Sequence, residues 1–140
     1  MRKLAIAAVV LVTALGMNVS MAAAAPTYGG IVVDAKTGKV LYSENADSLR
    51  YPASLTKMMT LYLTFEALEA GRIRLNDKVP VSANAAKEPP SKLGVGAGRS
   101  VTVEQAILAL VTRSANDIAT ALGEFLGGSE QRFAQMMTAK

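Results

Sequence analysis

Tyr51-Pro52-Ala53-Ser54-Leu55-Thr56-Lys57-Met58-Met59-Thr60 marks the point where the chain changes period. From Ser54 onward Leu55, Met58, Met59, Tyr62, Phe65 and Leu68 recur at three- and four-residue steps. That spacing predicts a buried helix closing at Gly71. Ser54 and Lys57, three residues apart, then share one face about a turn from each other. The hydroxyl sits at the positive end of the helix, where free backbone N–H groups stabilise a developing oxyanion. A lysine set among Met58, Met59 and Leu61 is partly desolvated, which favours the neutral, proton-accepting form. The plain alternative is a serine N-cap followed by a solvated lysine, and an S-x-x-K match alone does not separate the two.

Upstream of this stretch, Gly30-Ile31-Val32-Val33-Asp34 and Lys39-Val40-Leu41-Tyr42-Ser43 read as two short strands. Ala35-Lys36-Thr37-Gly38 supplies the turn between them, with Gly38 suited to a positive φ. Asn45 to Pro52 is an irregular approach loop. Downstream, residues 76–82 read as a turn and a short strand that Pro80 confines to an edge. Residues 87–98, with Pro89-Pro90 and three glycines, read as a surface loop. Thr102-Val103-Glu104-Gln105 has capping-box form and starts a helix that ends near Arg113. A further helix runs from about Asp117 to Leu126 and stops at Gly127-Gly128. Ser129 caps a last helix that is still running at Lys140. Only the first hairpin offers clear strands, a poor sheet for three or four helices. The pattern therefore predicts that the domain continues with further strands past Lys140.

Ser114-Ala115-Asn116 falls in the break between two of these helices. There a hydroxyl is placed to relay a proton and an amide to hold a carbonyl by donating a hydrogen bond. The bland reading is a helix–helix turn capped by Asn116 or Asp117. Ser43-Glu44-Asn45 and Ser82-Ala83-Asn84 also match S-x-N, but only Ser114 has a helix–break–helix setting.

Composition narrows the chemistry. The 140 residues are 51% apolar, enough to bury a core, and include no cysteine and no histidine. That removes Cys/His zinc sites, Cys–His nucleophiles and the Ser–His–Asp triad. A covalent hydrolase built from these residues needs a nucleophile activated by another group, and a lysine is the leading candidate. No metal or organic cofactor is required. At the N-terminus, Arg2 and Lys3 precede the apolar run Leu4 to Leu15, followed by the small residues Ala22 to Ala25. This is the layout of a secretory signal peptide over residues 1–24, cut after Ala24. A retained anchor is the other reading, disfavoured by the short apolar run. The expected mature part, residues 25–140, is one N-terminal portion of a domain, exported to the periplasm or the outer face of the cytoplasmic membrane. Without Arg2 and Lys3 it carries 13 basic and 11 acidic groups, scattered and with few aromatics, which does not support nucleic-acid binding.

Together these features resemble the active-site serine superfamily of penicillin-binding proteins and β-lactamases, which combine S-x-x-K, S-x-N or S-D-N, and K-T-G on a strand. Within it the chain is most similar to the low-molecular-weight D-alanyl-D-alanine carboxypeptidases, the S11 serine peptidases. The similarity runs through Asp34 to Leu41, Tyr51 to Thr60, Gly71-Arg72-Ile73, Pro90 to Gly94 and Ser114 to Asp117. It implies an α+β sandwich of the penicillin-binding protein type, incomplete at the C-terminus. It also implies a substrate, the peptidoglycan stem peptide, and covalent inhibition by β-lactam antibiotics. In that scheme Ser54 is the acylated nucleophile, Lys57 the proton acceptor, Ser114 the proton relay and Asn116 a substrate-binding residue. Lys36-Thr37-Gly38 spells the third motif but precedes Ser54 and reads as a hairpin turn; the resemblance places the true motif beyond Lys140. A class A β-lactamase is the nearest alternative, disfavoured because Ala115 stands where those enzymes carry aspartate. A D-Ala-D-Ala endopeptidase shares these motifs. An inactive, truncated peptidoglycan-binding protein is the reading from another class.

Overall fold

β-Branched residues on either side of a four-residue turn fix the first element. In a computed structural model, which describes residues 28–140, β1 (Gly30–Val33) pairs antiparallel with β2 (Val40–Glu44). Ile31 faces Ser43 and Val32 faces Tyr42, and the register shifts between Val32 and Val33. Asp34 closes the turn. Its Oδ1 accepts the Thr37 hydroxyl at 2.6 Å and the Thr37 and Lys36 N–H groups at 2.8 and 3.2 Å. Gly38 takes φ +72°, a left-handed conformation that glycine enters without steric cost. Lys36-Thr37-Gly38 thus lies in the turn, as expected. The export segment read over residues 1–24 lies outside the described residues.

The chain divides into two compact units, Met1–Arg50, which holds this hairpin, and Tyr51–Lys140. The second begins with a 3-10 turn (Ala53–Leu55) that runs into α1 (Thr56–Glu69). It continues with β3 (Lys78–Pro80), α2 (Ala83–Lys87), β4 (Ser100–Thr102), α3 (Val103–Arg113), α4 (Asn116–Gly127) and α5 (Glu130–Ala139). β3 and β4 pair antiparallel, with Val79 opposite Val101. Both valines point inward, while Lys78, Pro80 and Ser100 face solvent, as the two-residue period of a strand requires. The core gathers Val79, Val81, Val101, Val103, Leu110, Ile118 and Leu122. α4 lies at its centre, packed against α1, α2, α3 and α5.

The capping box is present in full. Thr102 Oγ1 accepts the Gln105 N–H at 3.1 Å, and Gln105 Oε1 accepts the Thr102 N–H at 2.9 Å. Ser129 likewise caps α5 by accepting the Arg132 N–H at 3.2 Å. α4 ends at Gly128, where φ is +77°. Among the described residues no helix is long and apolar enough to cross a membrane.

Three expectations need correction. α1 forms where predicted, but its buried face is Thr60, Leu63, Thr64 and Ala67. Leu55, Met58, Tyr62 and Phe65, expected inside, are exposed. Thr64 is admitted to the core at little polar cost because its hydroxyl donates to the Thr60 carbonyl at 2.7 Å. The short strand read within residues 76–82 is present as β3, but it is not alone: β4, over residues the sequence left unassigned, pairs with it in a second sheet. Finally, α2 is a short helix the sequence left unassigned: Ser82 caps it, its Oγ accepting the Ala85 N–H at 2.9 Å, and with β3 before it Ser82-Ala83-Asn84 has no helix–break–helix setting.

Candidate active site

All four residues singled out by the sequence lie in the Tyr51–Lys140 unit. Ser54 occupies the 3-10 turn just ahead of α1 and is exposed. Leu55, not Ser54, is the N-cap residue of α1, and no side chain caps this end. The N-cap reading of Ser54 therefore fails, and its hydroxyl is not committed to the helix. Ala53 before it has φ +49°. A residue with a Cβ pays for that left-handed conformation with roughly 1–3 kcal/mol of strain. Such strain persists only where the surroundings dictate it, and it is common beside reactive groups.

Lys57 follows in the first turn of α1 and is half-buried. It is not a solvated helix lysine. Its Nζ donates to Asn116 Oδ1 at 2.6 Å, a contact between residues 59 apart in sequence. This bond joins the S-x-x-K helix to the S-x-N segment.

Ser114 is the left-handed C-cap of α3, with φ +51° and ψ +41°, and its N–H donates to the Leu110 carbonyl at 3.0 Å. The turn reverses the chain into α4 and leaves Ser114 half-buried. Ala115 caps α4 without a side-chain bond, so neither Asn116 nor Asp117 serves as the cap. Asn116 instead spends its amide on tertiary contacts. Its Nδ2 donates to the Pro89 carbonyl at 2.9 Å while its Oδ1 receives Lys57. A primary amide has two N–H hydrogens, so one remains for a carbonyl outside the protein. The structure thus brings Lys57 and Asn116 into direct contact. Among the described residues no hydrogen bond links Ser54 or Ser114 to Lys57.

The loop over residues 87–98, read from the sequence as a surface crossing and as part of the family resemblance but given no role, completes this wall. Pro89, Ser91, Leu93 and Gly94 all bond to the first turn of α4. The Asn116 N–H donates to the Ser91 carbonyl at 2.7 Å. Asp117, 1% exposed, accepts the Leu93 N–H on Oδ1 at 2.9 Å and the Gly94 N–H on Oδ2 at 2.8 Å. The available signal was an acidic residue in the first turn of a helix that is apolar around it, a position where a buried carboxylate needs N–H donors.

Residues 17–140 match the family model for D-alanyl-D-alanine carboxypeptidases, Peptidase S11. The chain is 38% identical over 110 residues to the D-alanyl-D-alanine carboxypeptidase DacF of Bacillus subtilis, covering 79% of this chain and 28% of that protein. It superposes on the crystal structure of the D-alanyl-D-alanine carboxypeptidase DacD from Francisella tularensis with a TM-score of 0.75 and 34% identity, covering 83% of this chain and 28% of the other. A peptidoglycan synthesis regulatory factor (PBP3) from Streptococcus pneumoniae superposes with a TM-score of 0.73 and 39% identity, over 79% of this chain and 32% of the other. These solved structures bear out the mixed α/β fold of the penicillin-binding type. The chain spans little more than a quarter of the length of the curated relatives it matches.

Proposed function

The chain belongs to the D-alanyl-D-alanine carboxypeptidase family of S11 serine peptidases, and from that premise we propose that it carries the acylating machinery of a serine D-Ala-D-Ala carboxypeptidase acting on peptidoglycan stem peptides. The observation that supports this most is the 2.6 Å bond from Lys57 Nζ to Asn116 Oδ1. It joins the two motif segments on which a serine–lysine acyl transfer would draw, and Ser54, three residues before Lys57, is exposed and caps nothing.

In this reading Ser54 Oγ attacks the carbonyl carbon between the two terminal D-alanines, and Lys57 in its neutral form takes the hydroxyl proton. A C–O bond forms and the carbonyl becomes a tetrahedral oxyanion, stabilised by backbone N–H groups near the start of α1. The remaining N–H of Asn116 holds a substrate carbonyl. Ser114 passes the proton to the leaving amine, the C–N bond breaks and D-alanine departs. Water then adds to the ester carbonyl and releases Ser54. Penicillin enters by the same attack, with the β-lactam C–N bond broken in place of the peptide bond. Ring opening leaves the amine tethered, so the acyl-enzyme persists.

The site works outside the cytoplasm in this proposal, in the periplasm or on the outer face of the cytoplasmic membrane. That placement rests on the basic start, the apolar run and the small residues of the first 24 positions. N-terminal sequencing of the exported protein is expected to begin at Ala25; a start at Met1 in the membrane fraction contradicts cleavage.

Labelling with a fluorescent penicillin tests the chemistry. Mass spectrometry is expected to find the adduct on the peptide containing Ser54, and Ser54→Ala to abolish it. An adduct on another residue, or one that survives Ser54→Ala, overturns the nucleophile. A folded chain that takes no label overturns acylation by these 140 residues.

A further inference from the structure

Asp117 is the most deeply buried charged side chain described, at 1% exposure. Among the described residues no lysine or arginine forms a salt bridge with it. A carboxylate removed from water without a cation is costly unless N–H groups replace its hydration. Three do so here. Oδ1 accepts from Leu93 at 2.9 Å and from Ile118 at 3.0 Å, and Oδ2 accepts from Gly94 at 2.8 Å. Its place in the first turn of α4 adds the favourable end of the helix dipole.

Two of those donors belong to the loop that approaches Asn116. The same loop supplies the Ser91 carbonyl that accepts the Asn116 N–H at 2.7 Å. It also supplies the Pro89 carbonyl that accepts Asn116 Nδ2 at 2.9 Å. The amide has only two orientations, and the Pro89 carbonyl decides between them. With Nδ2 held by an acceptor, Oδ1 is forced toward Lys57 Nζ, 2.6 Å away. A flip would set Oδ1 against the Pro89 carbonyl, acceptor against acceptor. The chain of contacts is thus Asp117 to Leu93 and Gly94, along the loop to Pro89, and from Pro89 through the amide to Lys57.

We propose that Asp117 is a positioning residue: by clamping the 89–94 loop it sets the direction of the Asn116 amide and so the placement of Lys57. It touches neither the nucleophile nor the proton acceptor. Its contribution beyond folding is an oriented amide, and the acylation consequence rests on the function proposed above.

Asp117→Asn keeps the shape but replaces one acceptor by an NH2 group facing a backbone N–H, which breaks half of the clamp. The control is Val101→Ala, a core substitution on β4 whose side chain takes no part in these hydrogen bonds. Two readouts separate a positioning role from a structural one. In the unlabelled protein, NMR of the Asn116 side-chain NH2 pair is expected to show shifted resonances and faster solvent exchange in Asp117→Asn. Val101→Ala, compared at equal loss of stability, should leave both unchanged. In penicillin labelling, the limiting acylation rate is expected to fall about tenfold or more. Should Asp117→Asn fail to fold, Gly94→Ala serves. Its Cβ meets nothing within 4 Å, but φ is +83°, so it strains the turn that presents the Gly94 N–H. It should move the Asn116 signals in the same sense. Asn116 resonances that stay put in the folded variant, or that move equally in Val101→Ala, overturn the proposal. If the parent chain takes no penicillin, the acylation reading falls while the NMR comparison still decides the role of Asp117.

Discussion

Lys57 Nζ and Asn116 Oδ1 lie 2.6 Å apart, and each belongs to a helix that begins two or three residues after a left-handed non-glycine residue. Ala53 precedes Ser54 at φ +49°, and Ser114 precedes Ala115 at φ +51°. The two strained turns thus stand one at each end of the Lys57–Asn116 bond. Substituting Asn116 by alanine removes the acceptor for Lys57 and the donor to Pro89 together. Acylation by penicillin is expected to slow roughly 100-fold, the scale of a misplaced proton acceptor. Circular dichroism should remain native, because the loop keeps its bonds to Asp117. A labelling rate within threefold or so of the parent would show that Lys57 does not need this partner.

The hairpin turn carries its own pH dependence. The Thr37 hydroxyl and then the Thr37 N–H, with a lesser contribution from the Lys36 N–H, hold the Asp34 carboxyl below its ordinary 3.8 against an opposing effect of desolvation. A depressed folded value means that the contribution is present above 3.8 and is lost as pH falls through the folded value. The Thr37 amide proton should therefore titrate with a midpoint below 3.8 in an NMR pH series. Thr37→Val removes the strongest of the three bonds and is expected to move that midpoint upward. A midpoint at or above 3.8 in the parent chain would contradict the bonding described.

The Thr102–Gln105 box is the most local of the stabilising devices. Thr102→Ala takes away the acceptor for the Gln105 N–H while leaving β4 and its pairing to β3 intact. The expected loss is about 1 kcal/mol, the usual cost of deleting a threonine N-cap. It is to be read from the urea midpoint at unchanged slope. Gln105→Ala, which frees only the exposed Thr102 N–H, should cost less.

How much of this was legible in advance depended on whether the cause was local. The Gly38 turn, the capping box at Thr102, the Ser129 cap and the stop at Gly127-Gly128 are each fixed by neighbours within four residues, and each appears where the sequence placed it. β4 and α2 did not announce themselves. Three residues are too few to show alternation, and Ser100–Thr102 is a strand because Val101 pairs with Val79. α1 was found but turned the wrong way. Apolar residues lie on both of its sides, so periodicity could not tell which side faces α4, and the buried one carries two threonines. For the site, residue types without histidine or cysteine pointed to Ser54 and Lys57. The partnership of Lys57 with Asn116 spans 59 residues, and the Asp117 clamp reaches back 24, so neither could be seen in any local window.

A close approach between α4 and α5 gives a final test, in which two effects of opposite sign compete. Gly123 and Gly127 lie one turn apart on α4, and both face Phe133 of α5. A Cβ at Gly123 would meet the Phe133 ring at 2.9 Å, an atom of a side chain with some freedom to turn. At Gly127 it would meet the Phe133 backbone nitrogen at 2.8 Å and Cα at 2.9 Å, which can move only if α5 moves. Replacing a helical glycine by alanine favours the helix by at most about 1 kcal/mol, and less at Gly127, the last residue of α4. Overpacking against backbone costs about 1–3 kcal/mol. Gly127→Ala is therefore expected to destabilise the protein and to expose the α5 amides to faster hydrogen exchange. Gly123→Ala, whose obstacle is a ring able to rotate, should be milder. A stabilising Gly127→Ala would mean that α5 is not held against α4 at Phe133, and Phe133→Ala, expected to leave a cavity costing about 3 kcal/mol or more, would then cost little.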